Sequence, residues 1–99
     1  MITITAILRA KPGAEAELQA ALLAVTAHVR AAEPGTIDFF VSRDAEAPAV
    51  FTTYERFRDR AAMDKHNHSA SVAAFFAAAT PILDGPVILH ICDEVSTKR

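Results

Sequence analysis

Apolar and polar positions alternate along residues 2–9: Ile2, Ile4, Ala6 and Leu8 interleave with Thr3, Thr5, Ile7 and Arg9. Period two with β-branched residues predicts a strand, because successive side chains point to opposite faces. Lys11-Pro12-Gly13 ends it. The period then lengthens. Leu18, Leu22, Val25 and Val29 recur every three or four positions, which makes one apolar stripe of a helix over 14–32. Glu15 and Glu17 lie near its N-terminal end and Arg30 near its C-terminal end, as the macrodipole favours. Glu33-Pro34-Gly35 closes the helix. Residues 36–43 return to period two, with Ile37, Phe39 and Val41 on one face. Residues 49–57 form a third strand, with Phe51, Thr53, Glu55 and Phe57 on one face and Val50, Thr52, Tyr54 and Arg56 on the other. The polar, proline-bearing stretch 44–48 between them reads as a hairpin loop. Asp59 caps a short helix from Arg60 to about Lys65, His66-Asn67-His68 forms a joint, and Ser69 caps a second helical piece. That piece carries Val72, Phe75, Phe76 and Ala79 on one stripe. Asp84-Gly85-Pro86 is a turn and residues 87–95 are a last strand, after which Ser-Thr-Lys-Arg is expected to fray.

The predicted order, β-α-β-β-α-β, is the split βαβ or ferredoxin-like arrangement of the α+β class: a four-stranded antiparallel sheet with its helices on one face. Several strands carry large apolar residues on both faces, among them Ile4 and Ile7, Phe39 and Phe40, Ile88 and Leu89. Helices on one side leave the other sheet face uncovered, and an exposed face of that kind is an association site. The expectation is a homodimer joined through the sheet face.

Composition narrows the partners. Ninety-nine residues make a single domain, 1–99. With 52% hydrophobic residues the chain can build a core without metal or disulfide staples. A formal charge of -2, without basic stripes, argues against nucleic acid or an anionic membrane as partner. No apolar run approaches the ~20 residues of a membrane span. The opening residues lack the charged start and long apolar core of a signal peptide. The lone Cys92 cannot form an internal disulfide, so the expected setting is reducing and cytoplasmic.

The chemistry-bearing candidates are few. His66 and His68 stand two positions apart, which on a helix turns them away from each other and disfavours joint chelation. No metal site is expected. Glu55 places a carboxylate on the strand face of Phe51 and Phe57, where it needs a partner such as a histidine N–H. Tyr54 offers a phenol that could donate to a substrate oxygen. Phe39, Phe40, Phe51, Phe57, Met63, Phe75 and Phe76 supply candidate walls for a flat apolar pocket, although at strand and helix spacing most of them read as core. His90 and Cys92 share a face of the last strand with no third group to orient them. Gly13, Gly35 and Gly85 are isolated, so nucleotide and flavin fingerprints are absent and no cofactor is expected.

Four stretches together resemble the antibiotic biosynthesis monooxygenase (ABM) family, including its quinol monooxygenase-like members. They are AILRAKPG leading into the first helix, RAAEPG closing it, VFTTYERFRDRAAMDKHNHS, and FFAAATPILDGP. The most specific pieces are Tyr54-Glu55 and, ten residues on, Asp64-Lys65-His66. The resemblance implies a dimeric α+β barrel. It also implies oxidation of a phenol, quinol or anthrone by dioxygen without metal or flavin. In that reading His66 is a neutral imidazole at a pocket mouth that takes the substrate proton, Glu55 orients it, and Tyr54 donates to the oxyanion. Other members isomerise small polar metabolites, and a non-catalytic dimer that binds a small molecule is a further alternative. Many relatives continue with Ser-Pro-His-Phe where this chain has Ser69-Ala70-Ser71-Val72, so Ser71 replaces a family histidine and His68 is an extra one beside the substrate site. The haem-degrading branch resembles this chain least, since Trp is absent and the first strand has no Asn.

Overall fold

The computed structural model describes residues 1–98; Arg99, the end of the stretch expected to fray, lies outside them. Strands β1 (Ile2–Arg9), β2 (Thr36–Arg43), β3 (Val50–Phe57) and β4 (Ile88–Asp93) form one antiparallel sheet in the order β2-β3-β1-β4. Helices α1 (Glu15–Ala32), α2 (Arg60–Asn67) and α3 (Ala70–Ala79) complete the α+β ferredoxin-like fold, and a 3-10 turn spans Thr80–Ile82.

The helix stripe behaves as its spacing requires. Leu18, Leu22, Val25 and Val29 are the buried residues of α1, and they meet Ala6, Leu8, Phe51, Phe75 and Ala79 in the main core. A smaller cluster of Ile4, Phe57, Ala62 and Met63 lies under α2. Both predicted caps form. The Asp59 side chain accepts from the Ala62 N–H, and Ser69 Oγ accepts from the Val72 N–H at 3.1 Å. Each satisfies a donor left orphaned by the helix start.

Three local expectations change. The pairing of β2 slips between Thr36 and Asp38, so Ile37 is an extra residue in a bulge and is 44% exposed. It therefore leaves the face of Phe39 and Val41, which pack against the core. Helix α2 runs on to Asn67, which puts His66 in its last turn rather than in a joint. Strand β4 is shorter than the 87–95 expected, and all of its residues are exposed.

The sheet face away from the helices carries exposed Ile7, Phe40, Tyr54 and Ile88. Arg56 lies on the same face. Its guanidinium bonds Asp38 Oδ2 at 2.8 Å and grips both Glu94 carboxylate oxygens at 2.8 and 2.9 Å. These contacts hold the Arg56 pKa above its ordinary value, with the Glu94 hydrogen bonds the largest cause, followed by Asp38.

Candidate functional site

The site is assembled where α2 crosses the end of α1. The Asp59 cap fixes the start of α2, and helical spacing then turns Ala62, Met63 and His66 inward together. Opposite them, Glu33 is the C-cap residue of α1, its N–H bonded to Val29 O at 3.1 Å. Gly35 allows the two to meet. A Cβ at that position would stand 2.7 Å from the Ala62 Cβ, so any larger residue would push α2 outward.

His66 is 4% exposed and lies between two buried carboxylates. Its Nδ1–H donates to Glu33 Oε1 at 2.7 Å, and its Nε2 lies 3.3 Å from Glu55 Oε1. Each carboxylate is supported in turn: Thr36 Oγ1 donates to Glu33 Oε1 at 2.8 Å, and Thr53 Oγ1 donates to Glu55 Oε2 at 2.7 Å. The rings of Phe39 and Phe57 flank the imidazole, with centroids 5.6 and 5.3 Å away. Burial pushes the His66 pKa down, but the hydrogen bonds to Glu55 and then Glu33 outweigh it, and the pKa stands above the ordinary histidine value. The two acids thus favour the charged form of the ring. The ring is enclosed rather than open at a pocket mouth, and each of its nitrogens faces a carboxylate.

Glu55, His66, Thr53 and Asn67 are the polar residues on the wall of a cavity of about 70 Å³ between the sheet and α3. The other walls are apolar, among them Ile4, Val25, Phe39, Phe75, Phe76 and Leu89. An apolar cavity that admits benzene measures about 150 Å³. An aromatic ring therefore enters only if a wall moves. The mobile candidates are Phe76 and Leu89, which are 42% and 47% exposed at the open side.

The residues singled out from the sequence divide into three groups. His66, Glu55, Phe75 and Phe76 come together at the cavity. Phe51, Phe57 and Met63 are fully packed in the two cores, where Phe57 touches the site only through the His66 ring. Tyr54 and His68 lie apart from it. Tyr54 is on the far face of the sheet, stacked against Phe40 at 6.4 Å, because strand alternation turns it away from Glu55. His68 is exposed at the C-cap of α2, its Nδ1 2.8 Å from Asp64 O. Sequence reasoning passed over Glu33, taken as helix punctuation, and over Thr53, while Phe39, one of the candidate walls, does line the cavity. One signal for Glu33 was available: an acid at a helix C-terminus opposes the macrodipole, so it needs a compensating cation.

Residues 1–78 match the profile of the family described as Antibiotic biosynthesis monooxygenase. The chain belongs to the ABM family. Its fold is similar to solved structures from several organisms. Rv0793 from Mycobacterium tuberculosis shares 24% sequence identity at a TM-score of 0.90, covering 99% of this chain and 98% of that one. PA3566 from Pseudomonas aeruginosa shares 25% at 0.86, covering 96% and 94%. NE2512 from Nitrosomonas europaea, a protein of unknown function, shares 28% at 0.86, covering 99% and 92%. No curated protein matches the chain. Among the described residues no helix is long and apolar enough to cross a membrane.

Proposed function

We propose that this ABM-family chain is a monooxygenase that oxidises a small electron-rich aromatic, of the quinol, phenol or anthrone type, with dioxygen and no cofactor. The observation that carries the reading is the Glu55–His66 pair on the wall of a mostly apolar cavity. Apolar walls suit a flat aromatic better than a polar metabolite. A single polar corner suits removal of one hydroxyl proton.

Glu55 and His66 divide the labour. Glu55 takes the substrate hydroxyl proton, and His66, whose pKa its two acids raise, stabilises the resulting oxyanion when protonated. Glu33 keeps His66 oriented and charged through its 2.7 Å bond. The anion passes an electron to dioxygen, which the neutral closed-shell substrate does poorly. Recombination of the radical pair makes a C–O bond to a carbon that bears hydrogen, and loss of water then leaves a carbonyl. One oxygen atom stays on carbon, the other leaves as water, and the substrate supplies all the electrons.

A homodimer belongs to the same reading. Ile7, Phe40, Tyr54 and Ile88 on the far sheet face, with Leu89 and Ile91 on the uncovered β4, are exposed large hydrophobic residues that a second copy would bury.

The test is dioxygen consumption by the purified, chelator-treated protein offered hydroquinones, catechols and an anthrone, with Glu55→Gln alongside. Uptake above the autoxidation blank, lost in the variant, is the expected result. Equal uptake in a folded variant would remove Glu55 from the chemistry, and no uptake across the panel would overturn the substrate class.

A further inference from the structure

Glu33 has a second oxygen that the site does not use. Its Oε2 is buried and makes no hydrogen bond, yet His28 Nε2 lies 3.1 Å away. The His28 side chain is 37% exposed, against 6% for that of Glu33. The cavity carboxylate is thereby joined to solvent by alternating acids and imidazoles. The links are Glu55 Oε1 to His66 Nε2 at 3.3 Å, His66 Nδ1 to Glu33 Oε1 at 2.7 Å, and Glu33 Oε2 to His28 Nε2 at 3.1 Å.

Each member can hand a proton onward rather than only hold it. An imidazole accepts at one nitrogen and releases at the other, and a carboxylate does so at its two oxygens. We propose that Glu55–His66–Glu33–His28 is a proton relay running from the cavity, through the helix layer, to the surface of α1. The step is pure proton transfer. The substrate O–H bond breaks, a proton enters at Glu55 and an equivalent one leaves from His28 Nδ1; one returns along the same path to protonate the peroxide before water is lost. A small rotation of the exposed His28 ring aligns its Nε2 with Glu33. The need for such a path follows from the cavity. A bound aromatic fills its open side, and apart from Thr53, Glu55, His66 and Asn67 the walls offer water no polar partners. The function of the relay rests on the oxygenase reading, but its existence does not.

One rival path exists. A groove lined by Glu33, Gly35, Arg58, Lys65 and His66 opens on the α2 side, and Arg30 lies on the other groove that Glu33 lines. Water in the α2-side groove would exchange the His66 protons directly.

The two paths separate by NMR on ¹⁵N-labelled protein without substrate, reading exchange of the His66 ring N–H protons with water. In His28→Gln the exchange is expected to slow about tenfold, with the backbone shifts of Glu33 and His66 unchanged. In His28→Ala, imidazole added to the buffer is expected to restore it, which a purely structural role for His28 would not predict. Exchange at the wild-type rate in His28→Gln would overturn the relay and assign the proton to the α2-side groove. Slowed exchange in a protein that consumes no dioxygen would remove the oxygenase reading and leave the relay standing.

Discussion

Glu55 and Arg56 are neighbours in β3, yet they belong to two different charge clusters on opposite faces of the sheet. On the helix side two carboxylates, Glu33 and Glu55, hold His66. On the far side two carboxylates, Asp38 and Glu94, hold Arg56. The geometry is alike: one cation between two acids drawn from distant parts of the chain. The cations differ. Guanidinium keeps its proton at any physiological pH, so the Arg56 cluster can only tie β2, β3 and the segment after β4 together. Imidazolium can lose its proton, so the same arrangement around His66 can do chemistry. The surroundings differ to match. The His66 cluster borders a cavity and is enclosed by Phe39 and Phe57, whereas the Asp38 side chain in the Arg56 cluster remains one-third exposed.

The harshest change to this pairing is His66→Ala. It leaves two buried carboxylates facing each other without their cation, and the expected loss is about 3–5 kcal/mol of stability, read from urea denaturation. Arg56→Ala is expected to lose less, because water can reach its acids. Next comes Glu55→Gln, which keeps the shape of the cluster. Dioxygen uptake is expected to fall about a hundredfold with the fold intact, while Arg56→Lys leaves uptake unchanged. Equal losses in both would erase the functional distinction between the clusters. Gly35→Ala should follow, costing about 1–3 kcal/mol as its Cβ presses on Ala62 and shifts α2. Its particular sign is a lowered His66 pKa by NMR titration, since the Glu33 bond lengthens.

The gentlest test is pH. His66 has a folded-state pKa above its unfolded value, so its contribution to stability is fully present below about pH 6.5 and is lost as pH rises through the folded pKa. The native state binds the proton more tightly, which fixes that sign. Denaturation midpoints should fall on the alkaline side of this window in the wild type, and the slope should flatten in His66→Gln. The Arg56 cluster contributes no slope there, because its cation does not titrate in that range.

Much of the scaffold was legible in the residue pattern. The stripe of Leu18, Leu22, Val25 and Val29, the caps at Asp59 and Ser69, and the sharing of one β3 face by Phe51, Thr53, Glu55 and Phe57 follow from local periodicity and local hydrogen bonding, and all are found where expected. The bulge at Ile37 escaped because alternation carries no mark of a slipped register. Pairing Tyr54 with Glu55 as site residues conflicted with the strand pattern itself, which already set them on opposite faces. Aromatic residues proposed as pocket walls split between cavity and core, because the same spacing serves both.

The chain's local chemistry specified the helices, the strands and the face that Glu55 shares with Phe51 and Phe57, since those depend on neighbours a few positions away. Tertiary structure alone decided that Glu33 would meet His66 across 33 positions, that the two acids would raise the His66 pKa, and that Glu33 would also stand 3.1 Å from His28. The protonation of a group depends on every charge and every layer of solvent around it once folded, and no spacing along the sequence carries that sum.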